Sequence, residues 1–433
     1  MASIDLKGAS RRLAAIVVAG LATTVGAKAT TLPSPPLITT WAASPDFAGP
    51  PLGPVTVRHL LRATAGGDGL ALRLSNLFGT TPLRLGPVHV ALPAAVPASG
   101  PAARGGSDRA LTFHGAATVV IPPGGSVDSD VLAMPVAPLQ DLLLTVHVPQ
   151  RVAVSTVHGN GLDTVWLADG ADATVAAAAD FPRSATPDDS RYFVTALMVR
   201  PQAAVAARAH TVVALGDSIT DGIASTPNAH ARWPDVLARR VQAGDPAGAA
   251  AGGSARASAI AVVDAGIAGN RLLHDGADPY LGPSVLHRLD RDALDLPGVR
   301  TLVLLVGIND LTASDALKGP GQRVDADRMI AGLREVVQRA HARGVTVWGA
   351  TLLPCGGAKG VLAPTPAAEA MRAAINAWIR TGHGFDHVLD LDAVLRDPAH
   401  PDRLLPAYDS GDHVHPNDAG YRAIGQAVDV GAL

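Results

Sequence analysis

The sequence predicts two folds in tandem: an antiparallel β-sandwich over residues 32–200, then an α/β domain with a parallel sheet over residues 208–433. Three observations carry this. Up to about Arg200, short alternating apolar runs are separated by Pro and Gly turns, with no helical period between them. Beyond about Ala207 the pattern becomes strand, loop, helix, with continuous apolar strands of the kind a sheet covered on both faces requires. Hydrophobic residues fill 48% of the 433 positions and charged residues 17%, which supplies two packed cores and excludes both a coiled coil and a mainly disordered chain.

Residues 1–29 read as an export leader. Lys7, Arg11 and Arg12 form a short basic region, and residues 13–27 form an apolar run of 15, short of the roughly 20 that a helical span needs. Val25-Gly26-Ala27 or Ala27-Lys28-Ala29 suits a signal peptidase, and Ser10-Arg11-Arg12-Leu13 hints at a twin-arginine signal. The expectation is a periplasmic or secreted protein with no stable membrane span after cleavage. One cysteine, Cys355, fits export, permits no internal disulfide and leaves no four-cysteine zinc site. Lysine plus arginine number 35 against 38 acidic residues, a net charge of −3, so nucleic acid is not an expected partner.

In the front half, strands are predicted over residues 57–64, 70–74, 83–92, 118–121, 142–148 and 192–199. Gly66-Gly67-Asp68-Gly69 and Pro122-Pro123-Gly124-Gly125 serve as turns. Residues 168–190 are small, polar and Pro-containing, and read as a surface loop. In the back half, residues 211–215, 260–265, 301–306, 345–351 and 388–391 read as five strands. Met329, Ile330, Leu333, Val336, Val337 and Ala340 recur at helical spacing within 325–343, and Gly344 stops that helix.

In open parallel sheets the ligand crevice lies beyond the carboxyl ends of the strands, so the residues there hold the chemistry. The first strand ends in Gly216-Asp217-Ser218-Ile219-Thr220 and the second in Gly266-Ile267-Ala268-Gly269-Asn270. The third ends in Gly307-Ile308-Asn309-Asp310, and Asp412-His413-Val414-His415-Pro416 precedes the last helix. Each alone is an ordinary turn or cap sequence; together they fit acyl transfer. A serine hydroxyl needs a base, which His415 supplies to Ser218, and Asp412 can fix the imidazole tautomer. The oxyanion needs donors: the backbone N–H of Ser218, that of Gly269 where no side chain blocks approach, and the Asn309 amide.

These four segments resemble the blocks of the SGNH, or GDSL, hydrolase family. Ser218 matches the family's GDS serine, Gly269 its block-two glycine, Asn309 its GxND asparagine, and Asp412 and His415 its DxxH pair. The similarity runs from Val212 to the C-terminus. It implies a flavodoxin-like five-stranded parallel sheet and serine ester hydrolysis without metal or other cofactor. The expected substrates are short-chain carboxylic esters: O-acetylated carbohydrate, aryl or small lipid esters. The front half, with Arg73-Leu74-Ser75-Asn76-Leu77-Phe78-Gly79, resembles the accessory β-domain of larger secreted members.

Neighbouring residues have plainer readings. Asp217 and Asp310 suit backbone bonding at turns. His413 and His415 make an H-x-H that no further ligand cluster completes as a metal site. Arg271 can meet substrate or pair with an acid, Trp233 reads as core, and Pro416 as the N1 proline of the last helix. Arg73, Ser75 and Asn76 lie on the outward side of a strand, either solvated or facing the site. Two other functions use the same residues or fewer of them: an O-acyltransferase passing the acyl group to a sugar hydroxyl, and a carbohydrate-binding surface protein whose hydrolase half is a scaffold.

Overall fold

Alternation along the N-terminal strands sends every second side chain into one shared core. The computed structural model describes residues 34–95, 100–170, 172–174, 181–182, 185–244, 259–276, 278–312, 322–382 and 384–433. The leader expected over residues 1–29 lies outside them. A four-stranded antiparallel sheet runs in the order Ile38–Ala42, Val194–Arg200, Gly69–Ser75, Ser126–Asp128. A six-stranded one runs Thr186–Asp188, Val165–Asp169, Val55–Ala63, Gln140–Val148, Val88–Ala91, Arg109–Leu111. Leu70, Leu72, Leu74, Leu197 and Val199 of the first meet Val55, Val57, Leu61, Leu142, Leu144 and Val146 of the second in one core. Leu60 and Leu143, one position out of phase, turn to the other face beside Trp166.

Two predicted strands are broken. The run 83–92 divides at Gly86-Pro87: Leu83–Leu85 pairs with Val119–Ile121, whereas Val88–Ala91 joins the six-stranded sheet. Proline has no N–H for a continuous ladder, so the chain changes partners there. The run 192–199 divides at Phe193, whose φ is +62°. Its N–H donates to the Thr156 carbonyl and its own carbonyl accepts from Ser75, so the chain crosses between sheets at this residue. The surface loop expected over 168–190 contains the end of the strand Val165–Asp169 and the strand Thr186–Asp188; residues 171, 175–180 and 183–184 lie outside the described residues.

The back half contains a five-stranded parallel sheet in the spatial order Ile260–Gly266, His210–Gly216, Val299–Leu305, Thr346–Ala350, His387–Leu389. In chain order this is 2-1-3-4-5, the flavodoxin-like arrangement. Val213, Leu215, Leu302, Leu304 and Val347 face one side, against Met329, Leu333 and Val336 of the helix Ala326–His341 and Ile375 and Ile379 of the helix Pro366–Arg380. Val212, Ala214, Val303, Leu305 and Trp348 face the other, against Trp233 and Leu237 of the helix Trp233–Ala243 and Tyr421 and Ile424 of the helix Asp418–Ala427. Each fully buried Leu, Ile or Val contributes roughly 1.5–3 kcal/mol, so two such layers hold the strand ends rigidly.

Two expected boundaries move. The fifth strand stops at Leu389, because Asp390 caps a new helix, Leu391–Leu395, by accepting from Ala393 N–H. Asn417 caps the final helix through Ala419 and Gly420 N–H, so Pro416 stands before the cap and not at N1. The strand Ile38–Ala42 lies against the parallel sheet: Thr39 N–H donates to the Pro297 carbonyl, and the Thr211 hydroxyl donates to the Thr39 carbonyl. Among the described residues no helix is long and apolar enough to cross a membrane.

Candidate active site

The sheet brings three of the four sequence blocks to one edge, and the final helix delivers the fourth. Ser218 opens the single-turn helix Ser218–Asp221 directly after the first strand. Asp217 caps that turn by accepting from Ile219 N–H at 3.1 Å, and Gly222 ends it at φ +94°. The final helix is fixed against the turn by the Tyr421 hydroxyl, which donates to the Ile223 carbonyl at 2.5 Å. Arg240 ties the far end by donating to the Gly425 and Val428 carbonyls.

In consequence His415 Nε2 lies 2.8 Å from Ser218 Oγ, with both residues buried. On its other side His415 Nδ1 lies 2.6 Å from Asp412 Oδ2. Asp412 Oδ1 accepts the N–H groups of Val414 and His415, each at 2.8 Å. Burial raises the Asp412 pKa, but the His415 ring and these two N–H groups outweigh it and hold the carboxyl below its ordinary value. An ionised Asp412 only accepts, so Nδ1 carries the proton and Nε2 is left to accept from the serine hydroxyl.

Gly269 has φ +71°, and a Cβ there would fall 2.3 Å from Leu281 Cδ2. Asn309 lies in the short helix Ile308–Thr312, and its Nδ2 donates to the Asn270 carbonyl at 3.0 Å, leaving its second amide proton for another acceptor. The backbone N–H of Ser218 stands at the first position of its turn, where no intrahelical carbonyl serves it. The carboxylate of Asp310 accepts from Leu272 and Leu273 N–H at 2.8 and 3.2 Å, bracing the segment that follows Gly269. Asp217 and Asp310 therefore have the structural use that turn chemistry predicts.

Asp217 is buried, and burial raises its pKa to about 7 despite the Ile219 N–H. A carboxyl whose folded pKa lies above its unfolded value binds protons more tightly when folded. Its destabilising effect is absent below about pH 4 and complete above about pH 7. Asn caps as well as Asp and carries no charge. Asp217→Asn is thus expected to raise Tm at pH 8 and to lose that gain as the pH falls to 4; thermal melts across this range measure it.

Sequence reasoning missed Arg288, the buried hub beneath these residues. Its Nη2 donates to the Gly216 carbonyl at 2.9 Å, and its Nη1 to the Ala265 carbonyl at 2.8 Å and to Ser44 Oγ at 3.1 Å. Its Nε donates to Asn270 Oδ1 at 3.1 Å, and Asp292 balances its charge at 3.2 Å. Asn270 in turn donates to the Leu281 and Pro283 carbonyls. One guanidinium so fixes the residue before Asp217-Ser218, the end of the second strand and the partner of Asn309. The signal available was an arginine inside the apolar run Val285–Leu289 with an acid four residues on.

The remaining candidates fall elsewhere. His413 Nδ1 pairs with Asp409 Oδ2 at 2.5 Å. Among the described residues no cluster of three or more His, Cys, Asp or Glu could hold a metal ion. Arg271 is buried and donates to the Asp275 carbonyl, and Trp233 is core. Asn76 is buried, with its amide on the Thr81 and Ile121 carbonyls, and Arg73 pairs with Asp128 at 2.7 Å. The outward position expected for this trio is corrected for Ser75 and Asn76, which are buried beneath residues 122–126, whereas Arg73 is outward in its partly exposed ion pair. Arg73 and Ser75 line a cleft of ≈ 220 Å³ whose walls include none of Ser218, Asn309 or His415.

Residues 214–423 match the model of the GDSL-like Lipase/Acylhydrolase family. They belong to that family. These residues are accordingly a carboxylic ester hydrolase domain of the GDSL type. Among solved structures, the GDSL-like domain is similar to a candidate lipolytic protein of the G-D-S-L family from Desulfitobacterium hafniense. That match has 22% identity over 50% of this chain and 96% of the other, with a TM-score of 0.35. An acetylxylan esterase from Geobacillus stearothermophilus matches at 20% identity over 50% and 91% of the two chains, TM-score 0.36. A candidate arylesterase from Agrobacterium tumefaciens matches at 19% over 50% and 95%, TM-score 0.35. No curated protein matches the chain.

Proposed function

We propose that this GDSL-like hydrolase cleaves short-chain carboxylic esters through an acyl intermediate on Ser218. The observation that carries the reading is the continuous relay from Ser218 Oγ to His415 Nε2 at 2.8 Å and from His415 Nδ1 to Asp412 Oδ2 at 2.6 Å. His415 takes the hydroxyl proton as Ser218 Oγ attacks the ester carbonyl, and Asp412 stabilises the imidazolium. The tetrahedral oxyanion is met by Ser218 N–H, Gly269 N–H and the free amide proton of Asn309. The C–O bond to the alcohol breaks as His415 returns the proton to the leaving oxygen. Water, deprotonated by the same imidazole, then releases the acid and restores the serine.

The substrate class extends to O-acetylated carbohydrate, aryl and small lipid esters. Turnover of a p-nitrophenyl series from acetate to decanoate tests it. The reading expects the highest kcat/KM at the short end, and a maximum at decanoate would contradict a short acyl group.

Asn309 supplies an independent check on the oxyanion site. Removing one such donor costs roughly 100- to 1,000-fold in kcat. Asn309→Ala is expected to lose that much on p-nitrophenyl acetate with little change in KM. A loss confined to KM would place the amide on the ground-state substrate instead.

A further inference from the structure

The turn that carries Ser218 ends in a carboxylate that needs a counter-charge. Asp221, three residues after Ser218, is buried, and the turn is pressed onto the second parallel strand: a Cβ on Gly266 would fall 2.2 Å from Asp221 N. On the opposite side Asp221 Oδ1 faces His158 Nε2 at 3.3 Å. His158 belongs to the N-terminal half, in the strand Ser155–His158. Its Nδ1 lies 2.9 Å from the Ser44 carbonyl and 3.8 Å from Asp46 Oδ2, and Asp46 Oδ2 also accepts Gly159 N–H at 2.9 Å. The imidazole thus stands between two buried carboxylates, one from each half of the chain. Ser44 touches both supports of the site, His158 through its carbonyl and Arg288 through its hydroxyl.

A buried carboxylate without a partner costs several kcal/mol, so this contact constrains where the turn can sit. Burial works against a charged His158 ring, but the Asp221 and Asp46 carboxylates outweigh it and raise its pKa to about 9. Burial likewise raises Asp46, to about 6, with His158 opposing. At neutral pH the imidazolium therefore sits opposite ionised Asp46.

We propose that His158 of the N-terminal β region is a positioning residue for Ser218, holding the nucleophile's turn through Asp221 so that Oγ stays within reach of His415. This rests on the reading of Ser218 as nucleophile, and it makes the β region part of the catalytic apparatus. His158 touches no reacting atom; it acts through the turn.

The test uses the full chain and compares wild type, His158→Gln and His158→Gln/Asp221→Asn. It measures Tm, kcat and KM on p-nitrophenyl acetate, and the rate at which a fluorophosphonate modifies Ser218. A misplacement of about 1 Å is worth about 100-fold in rate, so His158→Gln is expected to lower kcat and the labelling rate by about that factor, with KM nearly unchanged. A contact that serves folding alone would lower Tm and leave both rates of the folded protein at wild-type values, and that result overturns the proposal. If the single variant does not fold, the double variant removes the stranded carboxylate. Slow labelling in the folded double variant supports the tether, and wild-type labelling overturns it. Failure of the underlying reading looks different: wild-type protein that turns over ester while Ser218 stays unmodified.

Discussion

Ser218→Ala is expected to reduce kcat on p-nitrophenyl acetate by on the order of 10⁶-fold, the loss that removing the nucleophile causes in a serine protease with such a relay. The substitution removes one hydrogen bond, to His415 at 2.8 Å, and leaves the turn's own bonds from Asp221 and Gly222 N–H in place. Folding should be nearly unaffected, with Tm within roughly 2 °C of wild type. His415→Ala should cost about as much, and the double variant little more than either single one, because the two side chains act as a unit. Steady-state kinetics at protein concentrations set by absorbance measure all three. Additive losses would show that Ser218 and His415 serve separate steps.

The second large effect concerns stability. Arg288→Met leaves the Gly216 and Ala265 carbonyls and Asn270 Oδ1 without the buried donor that serves them, while the Asp292 carboxylate keeps Arg291 at 2.7 Å. Each buried acceptor stranded in this way costs about 1–3 kcal/mol, a few kcal/mol in all, and methionine fills the space without replacing a single bond. For a chain of this length that lowers Tm by roughly 5 °C. Because the same guanidinium holds the residue before Asp217 and the partner of Asn309, kcat should fall in the protein that remains folded. Arg288→Lys should recover little, since one ammonium cannot reach acceptors on four segments at once. Differential scanning calorimetry with parallel kinetics reads both effects, and a Tm within 1 °C of wild type for Arg288→Met would remove Arg288 from its role as hub.

The contrast between these residues shows what a sequence discloses. Ser218, Gly269 and Asn309 were legible because continuous apolar strands can be recognised locally and each runs into a Gly-containing turn. The parallel sheet places such turns together whatever else the fold does. Asp412 and His415 were legible because they share one short segment before a helix. Arg288 was not, because four of its partners, at residues 44, 216, 265 and 270, are far away in the chain, and the local signal, an arginine in a short apolar run with an acid four residues on, also describes a surface ion pair. His158 is a similar case: it ends an ordinary strand, and its importance depends on a turn more than sixty residues away. Ser75 and Asn76 were expected on the outward side of a strand, but neighbouring strand residues point to opposite faces and the chain at 122–126 bonds back over Asn76, so both are buried. The predicted strand 192–199 ran through Phe193, whose φ of +62° marks the crossing between sheets.

If Ser218 is the group that becomes acylated, a covalent inactivator must find it. Wild-type protein would be treated with a fluorophosphonate, with activity and the site of modification followed together by peptide mass spectrometry. The account predicts one adduct per chain, on Ser218, formed in proportion to the loss of ester hydrolysis and absent from Ser218→Ala. Full modification of Ser218 with hydrolysis undiminished, or inactivation by an adduct elsewhere, would contradict it.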